Sequence, residues 1–291
     1  MKWLITGASG QLGLALQEEL TQRGIDFVGA NSSELDITKP LNVNQMVDVI
    51  RPNVIINAAA WTDVDGAESN EAAAYSVNAL GPQNLANSAS KAGARLVQIS
   101  TDYVFSGDAS APWSETARHN PQSVYGSTKS EGEKFVLTTL PSNSYVVRTA
   151  WLYSPKGKNF AKTMTNLALN QKCEVRVVND QIGQPTFAGD LAKQIVELVL
   201  SEAPAGIYHG TNSGQTTWFE FAQAIFSIAG ADVSRVIPVA TTEFPRPAKR
   251  PAYSVLGHDA WAGTSVPEMR NWKIALEVAM LAIISAVKAE E

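Results

Sequence analysis

The sequence predicts an α/β protein built on a doubly wound parallel sheet, with a smaller α/β lobe toward the C-terminus. Three observations predict this fold class. Short apolar runs alternate with longer segments of helical spacing in the first half of the chain. A glycine-rich turn directly follows the first of these runs. Of the 291 residues, 45% are hydrophobic and only 18% are charged, which excludes a disordered chain.

The strand and helix candidates of this first half alternate. β-rich apolar runs predict strands at residues 2–6, 27–30, 54–57, 96–100 and 145–148. Between them, apolar residues at three- and four-residue spacing predict helices at residues 11–22, 42–50, 71–91 and 122–139. The strands are apolar throughout, as expected for parallel strands that are covered by helices on both faces. Right-handed crossovers would then bring their carboxyl ends to one edge of the sheet.

The pattern changes after about residue 148. Helical spacing returns at residues 160–170, 188–200, 218–229 and 271–287, but the regular strands fade. Loop-prone stretches occupy residues 153–159 and 179–187, and the proline-rich run 244–251 cannot be a central strand or the interior of a helix. This change predicts the second, smaller lobe.

Charge and cysteine content exclude several classes of protein. The 23 Lys and Arg against 28 Asp and Glu give a net charge of −5, which does not favour nucleic acid as a partner. The single cysteine, Cys173, excludes an intramolecular disulfide and a thiolate metal cluster, and the three histidines have no metal-ligand spacing. No apolar signal segment follows Lys2, and the longest apolar stretch, residues 274–287, is too short to span a bilayer. We therefore expect a cytoplasmic protein without a membrane or a metal partner.

The glycine turn at the end of the first strand predicts a dinucleotide site. Gly7 can make the tight turn, Gly10 lets the backbone approach a pyrophosphate, and Gly13 lets the helix pack closely on the sheet. The helix that follows offers unpaired N–H groups and the positive end of its dipole. Three glycines alone are weak evidence, but their position between a strand and a helix favours a nucleotide over an ordinary turn.

This motif sets the expected domain organisation. Residues 1–153 would form an NAD(P)-binding Rossmann domain, to which residues 181–206 return. Residues 154–180 and 207–291 would form the smaller lobe, which would bind the substrate. At the end of the second strand, where an acidic residue would hold the ribose 2′-OH of NAD, the chain has Asn31, Ser32 and Ser33. Nothing there repels a 2′-phosphate, so NADPH is at least as well accommodated as NADH.

A tyrosine and a lysine supply the candidate chemistry. Tyr125 and Lys129 lie four residues apart, hence on one face of the predicted helix, and Ser100 and Thr101 end a strand at the edge where such sheets bind ligands. A ketone that accepts hydride must also be protonated. Tyr125 would be the proton donor, Lys129 would lower its pKa and hydrogen-bond the nicotinamide ribose, and Thr101 would polarise the substrate oxygen. Taken alone, the tyrosine–lysine spacing occurs by chance in many helices; the combination with the glycine turn is the evidence.

Motifs along nearly the whole chain resemble the dTDP-4-dehydrorhamnose reductases, a family of the extended short-chain dehydrogenase/reductase superfamily. They lie at residues 57–68, 100–107, 125–129, 148–151, 159–164, 180–186 and 250–251. The resemblance implies NADPH-dependent reduction of the C4 ketone of dTDP-4-dehydro-6-deoxy-L-mannose to dTDP-L-rhamnose, with NADH also accepted. It also implies the Thr101, Tyr125 and Lys129 triad.

The resemblance further implies two sets of binding residues. The cofactor would contact Gly7, Gly10, Gln11, Leu12, Gly13, Asn31, Ser32, Asp36, Ile37, Ala58, Ala59, Ala60, Ser100, Tyr125 and Lys129. The dTDP-sugar would contact Thr62, Val64, Asp102, Tyr103, Trp151, Asn159, Gln184 and Arg250. An indole such as that of Trp151 can wall a sugar or simply fill the core, and a guanidinium matches diphosphate oxygens. We expect Arg246 and Lys249 to be solvated loop charges.

Other functions stay open. Another sugar-nucleotide ketoreductase or an epimerase could use the same triad, whereas a dehydratase is disfavoured because Tyr103, not a glutamate, follows Asp102. A non-catalytic NADP-binding regulatory subunit, like the β subunit of methionine adenosyltransferase, is the alternative of a different class. Some relatives form a magnesium-bridged dimer through an acidic residue in the first helix, where this chain has Ala15. We therefore expect a monomer or a weak homodimer.

Overall fold

The computed structural model describes residues 1–290, and its centre is a six-stranded sheet. The sheet consists of β1 (Lys2–Thr6), β2 (Asp26–Ala30), β3 (Val54–Asn57), β4 (Arg95–Thr101), β5 (Ser144–Thr149) and β10 (Gly206–His209). The strand order is β10-β5-β4-β3-β1-β2, and every neighbouring pair is parallel. The predicted doubly wound fold class is therefore confirmed.

Helices connect and cover these strands. They are α1 (Gln11–Gln22), α2 (Pro40–Ile50), α3 (Val64–Ser69), α4 (Glu71–Tyr75), α5 (Gly81–Ala92), α6 (Val124–Thr139), α7 (Phe160–Asn170), α8 (Ala188–Leu200), α9 (Trp218–Ile228) and α10 (Trp272–Ala289). Short strands also form pairs outside the main sheet: β6 (Leu152–Tyr153), β7 (Val175–Val178), β8 (Ile182–Gly183), β9 (Thr186–Phe187), β11 (Thr216–Thr217) and β12 (Val236–Val239). No helix within residues 1–290 combines the length and the apolar character that a bilayer crossing needs.

The predicted strands and helices all form, with bounds that shift by up to two residues, except that one helix is divided. The helix α3 and the short strands β6, β7, β8, β9, β11 and β12 were not predicted. The helix expected at residues 71–91 is divided into α4, a π-helical segment at Ser76–Leu80, and α5, which has a proline in its first turn. The sixth strand of the main sheet, β10, was not predicted either; it is only four residues long. Its residues Ile207 to His209 pair with β5, so the segment that returns to the main sheet runs three residues past the predicted boundary at residue 206. The division into two functional domains stays a prediction.

The hydrophobic core has a separate layer on each face of the sheet. Trp3 and Ile5 of β1 point to the face that α1 and α8 cover, and Leu4 between them points to the face that α2 and α5 cover. A third cluster joins α7, α9 and α10 in the smaller lobe around Phe221 and Trp272. Because both faces of the parallel sheet are buried, the carboxyl edge of its strands is where a ligand can approach.

Candidate active site

A cleft of about 960 Å³ runs along the carboxyl edge of the sheet. The glycine turn after β1 and the ends of β2, β3, β4 and β5 form its walls. The structure brings most of the predicted site residues to this cleft. They are Gly7, Gly10, Gln11, Leu12, Asn31, Ser32, Asp36, Ile37, Ala58, Ala59, Ala60, Thr62, Val64, Ser100, Thr101, Asp102, Tyr103, Tyr125, Lys129 and Trp151.

The glycine turn leaves no room for larger side chains. Gly7 has a φ of +66°, and a Cβ added to it would lie 2.6 Å from the backbone N of Ala59. A Cβ on Gly13 would lie 2.3 Å from the carbonyl O of Gly7, so Gly13 does not line the cleft but lets α1 pack against the turn. Gly10 caps α1 without a side chain, which leaves the first N–H groups of the helix directed at the cleft. This cradle fits a pyrophosphate.

The other end of the cleft is built by the turn after β2. The side-chain oxygen of Asn31 accepts hydrogen bonds from Ser33 N at 2.9 Å and Ser33 Oγ at 2.7 Å. The Glu34 carboxylate accepts from the backbone N of Asn31 at 2.9 Å and does not line the cleft. The serines Ser32 and Ser33 therefore present small hydroxyl groups at the position where the adenosine ribose would lie.

Two buried hydroxyl groups mark the middle of the cleft as a polar binding surface. Ser100 Oγ and Thr149 Oγ1, from the adjacent strands β4 and β5, are buried and have no hydrogen-bond partner. Unpaired buried polar atoms are rare in proteins, because each forfeits its hydration. Together with the glycine cradle, these two hydroxyls fit a bound dinucleotide.

Tyr125 and Lys129 lie on one face of α6, as their spacing predicts. Ser123 begins this helix by accepting a hydrogen bond from Gly126 N at 3.1 Å. Lys129 is only 3% exposed, and its ammonium donates to the carbonyl of Ile99 at 2.6 Å. Burial lowers the pKa of Lys129 to about 8, while the charge of Glu133, one turn further along the helix, acts in the opposite direction.

Tyr125 keeps its proton in this environment. Burial raises the pKa of Tyr125 to about 12, and the hydroxyl group of Thr101 partly offsets this rise. The ring of Tyr103 packs edge-on against Tyr125, with centroids 5.5 Å apart. A phenol that is protonated at neutral pH and lies at the strand-end Thr101 can donate a proton to a substrate oxygen.

A buried carboxyl group lies directly beside Thr101. The hydroxyl of Thr101 is 2.8 Å from Oδ1 of Asp102, and Asp102 is 3% exposed. Burial raises the pKa of Asp102 to about 6. The carboxyl group of Asp102 therefore contacts the Thr101 hydroxyl, which is expected to polarise the substrate oxygen.

A second cavity of about 640 Å³ adjoins the cleft and shares Tyr103 and Trp151 with it. Trp151 has a φ of +46°, a strained conformation for a large residue, and its indole stacks on that of Trp218 at a centroid distance of 3.6 Å. Phe160 and Phe244 complete an aromatic wall. Such a wall suits the flat face of a base or the apolar face of a sugar.

Cationic side chains also line the second cavity. Arg250 donates to Asp65 at 2.8 Å, and Arg246 lies 3.8 Å from the same carboxylate oxygen. Arg246 and Lys249, expected to be solvated loop charges, also line this cavity, as does Arg176. This grouping of cations in one pocket suits a diphosphate better than any single arginine would.

Two predicted substrate contacts, Asn159 and Gln184, line neither cavity. Gln184 is 3% exposed, and its side-chain oxygen accepts from Leu256 N at 2.8 Å and from Thr211 at 2.9 Å. Asn159 begins α7 by accepting from Lys162 N at 3.0 Å. The Asn159 amide also donates to Gln11, which lines the cleft, at 2.9 Å. The hydrogen-bonding groups of both side chains are thus engaged by the protein itself, and their role as substrate contacts stays a prediction.

Sequence reasoning missed several residues that line the cavities. Thr149 could have been found, since it directly follows the strand predicted at residues 145–148, at the same edge as Thr101. Trp218, Phe160 and Arg176 had no such signal. They lie in the smaller lobe, and only the packing of that lobe against the sheet brings them to the site.

Known proteins resemble this chain over almost its whole length. The family model described as the RmlD substrate binding domain matches residues 1–284. A dTDP-4-dehydrorhamnose reductase from Streptomyces griseus is 45% identical, over 94% of this chain and 91% of its own. A probable dTDP-4,6-dihydroxy-2-methyloxan-3-one 4-ketoreductase from Streptomyces antibioticus is 44% identical, over 98% of this chain and 97% of its own.

A solved structure shows the same architecture. The crystal structure of dTDP-4-dehydrorhamnose reductase from Bacillus anthracis in complex with NADP is 43% identical and superposes with a TM-score of 0.92, covering 96% of this chain and 98% of that one. The family match and these identities go well beyond a shared fold. The chain therefore belongs to the RmlD substrate binding domain family.

Proposed function

We propose that this protein is an NADPH-dependent sugar-nucleotide ketoreductase that reduces the C4 ketone of dTDP-4-dehydro-6-deoxy-L-mannose to dTDP-L-rhamnose. The observation that carries the proposal is the meeting of Thr101, Tyr125 and Lys129 in one cleft, between a glycine cradle and a cavity lined by cations. A binding module would have no chemical need for these three side chains together. Relatives with 43–45% identity that are named dTDP-4-dehydrorhamnose reductase support the substrate class.

NADPH, when bound, supplies the hydride for C4 of the sugar. In the proposal, Gly7, Gly10 and the first turn of α1 hold its pyrophosphate, and Ser32 and Ser33 accommodate the ribose 2′-phosphate. The buried hydroxyls of Ser100 and Thr149 offer hydrogen bonds to the nicotinamide half. The other predicted cofactor contacts, Gln11, Leu12, Asn31, Asp36, Ile37 and Ala58 to Ala60, line the same cleft.

Tyr125 is the proposed general acid. As negative charge develops on the ketone oxygen, the phenol donates its proton to that oxygen, and the ammonium of Lys129 stabilises the phenolate that is left. The Lys129 charge is needed because burial alone opposes ionisation of Tyr125. A positioned acid of this kind contributes about 10²–10⁴-fold to the rate.

The second cavity is the proposed site of the nucleotide. Trp151 walls the sugar where the two cavities meet, and Arg250, with Arg246 and Lys249, faces the diphosphate. Thr62 and Val64 line the cleft on the other side of the sugar. Cytoplasmic location and a monomer or weak homodimer remain part of the proposal, on the basis of the single cysteine and of Ala15.

A second candidate is reduction of another dTDP-4-keto-6-deoxy sugar. The Streptomyces antibioticus relative, a 4-ketoreductase with a differently named substrate, is as similar to this chain as the dehydrorhamnose reductases are. The same cleft would serve both reactions, since the proton and the hydride go to the same carbonyl group. The shape of the second cavity around the sugar would decide between them.

The test is NADPH oxidation by the purified protein with the L-lyxo-4-hexulose, generated in place from dTDP-glucose by the preceding enzymes, and identification of dTDP-rhamnose as product. Tyr125→Phe should bind NADPH and lose turnover by about 10²-fold or more. Tyr75→Phe, at a tyrosine outside both cavities, is the matched control and should behave as the wild type. Turnover only with dTDP-4-keto-6-deoxy-D-glucose would favour the second candidate. NADPH binding without reduction of any keto sugar would favour the regulatory subunit.

A further inference from the structure

The carboxyl group of Asp102 is buried without a counter-charge. Its Oδ1 lies 2.8 Å from the Thr101 hydroxyl, and its Oδ2 is buried with no hydrogen-bond partner. None of the ion pairs formed within residues 1–290 involves Asp102. An ionised carboxylate in such a place is costly, because burial removes its hydration and only the Thr101 hydroxyl and a few other uncharged neighbouring groups partly replace it.

The single hydroxyl proton of Thr101 can point in only one direction. An ionised carboxylate is an acceptor only, so beside an ionised Asp102 the Thr101 proton must point at Oδ1. The Thr101 oxygen would then offer only lone pairs to the substrate, and it already accepts from Tyr103 N at 3.3 Å. Thr101 could not donate to a ketone oxygen in that state.

We propose that Asp102 is a positioning residue that works as a neutral acid: it donates a hydrogen bond to Thr101 and thereby turns the Thr101 hydroxyl proton toward the substrate oxygen. The proton belongs on Oδ1, because only that oxygen has an acceptor at hydrogen-bond distance. This inference rests on the proposed reductase function. It adds a residue that acts through Thr101 and need not touch the substrate.

The groups around Asp102 are uncharged. Thr101 faces it from β4, Tyr103 follows it in the chain, and Tyr125 faces it from α6. Ser254, from the loop of the smaller lobe, lies close enough to lower the pKa of the carboxyl somewhat, although its own Oγ has no hydrogen-bond partner. Arg250 and Asp65 act on Tyr103 and are paired with each other. Lys129 lines the same cleft as Asp102, and its ammonium donates to the carbonyl of Ile99.

The pH dependence follows with a definite sign. Burial raises the pKa of Asp102 to about 6, so its neutral form is lost as the pH rises through that value. The wild-type kcat should therefore fall as the pH rises from about 5 to about 8, by up to about tenfold. Asp102→Asn has an N–H donor at every pH, so its kcat should be flat over the same range. Asp102→Leu has no donor and should be slower than Asp102→Asn by about tenfold or more throughout.

A control variant and an infrared measurement make the test independent of folding and of turnover. Asp108→Asn, which removes an exposed carboxylate nearby, is the control and should keep the wild-type pH profile. In the infrared spectrum of the protein without cofactor, a protonated-carboxyl band should disappear with a midpoint near pH 6. That band should be absent from Asp102→Asn and present in Asp108→Asn.

The outcomes separate the inference from the proposed function. If the wild type reduces no keto sugar, the proposed function fails, and the infrared band still tests the protonation of Asp102. If the wild type is active but Asp102→Asn keeps the falling limb, or is no faster than Asp102→Leu, the inference is overturned. The absence of the band at acidic pH would overturn it as well.

Discussion

The indole rings of Trp151 and Trp218 stack face to face, with centroids 3.6 Å apart and planes inclined by 13°. Trp151 follows β5 of the main sheet, and Trp218 is the first residue of α9 in the smaller lobe. The stack therefore links the two parts of the molecule at the point where the two cavities meet. Its position explains why Trp151 tolerates a positive φ.

Removal of the Trp218 ring should weaken the binding of the sugar nucleotide. Trp218→Leu leaves Trp151 without its stacking partner at the wall of the second cavity, so we expect the KM for the dTDP-sugar to rise by about tenfold. The KM for NADPH should stay the same, because the cofactor cleft does not include Trp218. Steady-state kinetics with each substrate varied in turn measures both. Phe219→Leu, the next residue of α9 and outside both cavities, is the control; equal effects of the two variants would contradict the assignment.

Deprotonation of Lys129 should lower kcat/KM at alkaline pH and so give an alkaline limb in its pH profile. Its pKa is lowered by burial to about 8, so the ammonium loses its proton as the pH rises through that value, and with it the charge that stabilises the Tyr125 phenolate. We expect kcat/KM to fall above about pH 8. Lys129→Met should be slower by about 10²-fold and lack this limb. A limb that persists unchanged in Lys129→Met would assign it to another group.

The same lowered pKa has a consequence for stability. The unfolded chain, in which Lys129 has its ordinary pKa of 10.5, binds the proton more tightly than the folded chain with a pKa of about 8. The contribution of Lys129 to the free energy of unfolding should therefore increase as the pH rises from about 8 to 10.5. Urea unfolding of the wild type and Lys129→Met over this range would measure the difference; the gain should be missing in the variant.

Substitutions of Arg250 and Gln184 should have different effects: the first should weaken substrate binding, and the second should lower stability. Arg250→Ala removes a cation from the second cavity, so the KM for the dTDP-sugar should rise by about tenfold or more with little loss of thermal stability. Gln184→Ala leaves the buried N–H of Leu256 without its acceptor and should cost about 1–3 kcal/mol of folding free energy with an unchanged KM. Kinetics and thermal melts of both variants provide the test. A raised KM in Gln184→Ala at unchanged stability would instead support Gln184 as a substrate contact.

Glu133 and Arg148 form a fully buried ion pair beneath α6. Arg148 donates to Glu133 at 2.8 Å, and its remaining N–H groups are taken up by the Glu115 carbonyl, His119 and His209. Both histidines accept through Nε2 and are therefore neutral. Glu133→Ala would leave the guanidinium uncompensated and should cost about 3–5 kcal/mol of folding free energy. Urea unfolding measures this cost, and Glu131→Ala, on the exposed side of the same helix, should change it by less than about 0.5 kcal/mol.

The parts of the site that rest on local spacing could be predicted from the sequence. The turn at Gly7 to Gly13 needs only a strand before it and a helix after it, and the Tyr125 and Lys129 spacing needs only that α6 is a helix. The parts that rest on loop conformation could not. Gln184 was expected to be a ligand from its motif, and its side-chain oxygen accepts from the backbone of Leu256, a contact that no local pattern indicates. Arg246 and Lys249 are exposed, as expected for loop charges, but their position along the second cavity depends on the path of the loop.

Local sequence patterns are sufficient to predict the alternation of strands and helices, the glycine cradle and the pair on α6, because each depends on residues within a few positions of one another. The stacking of Trp218 on Trp151 and the addition of β10 to the main sheet become visible only in the folded protein. The same is true of the Asp102 carboxyl group, which is buried against Thr101 without a cation. These relationships depend on how the smaller lobe packs on the edge of the sheet, and such long-range packing leaves no periodic signal in the chain.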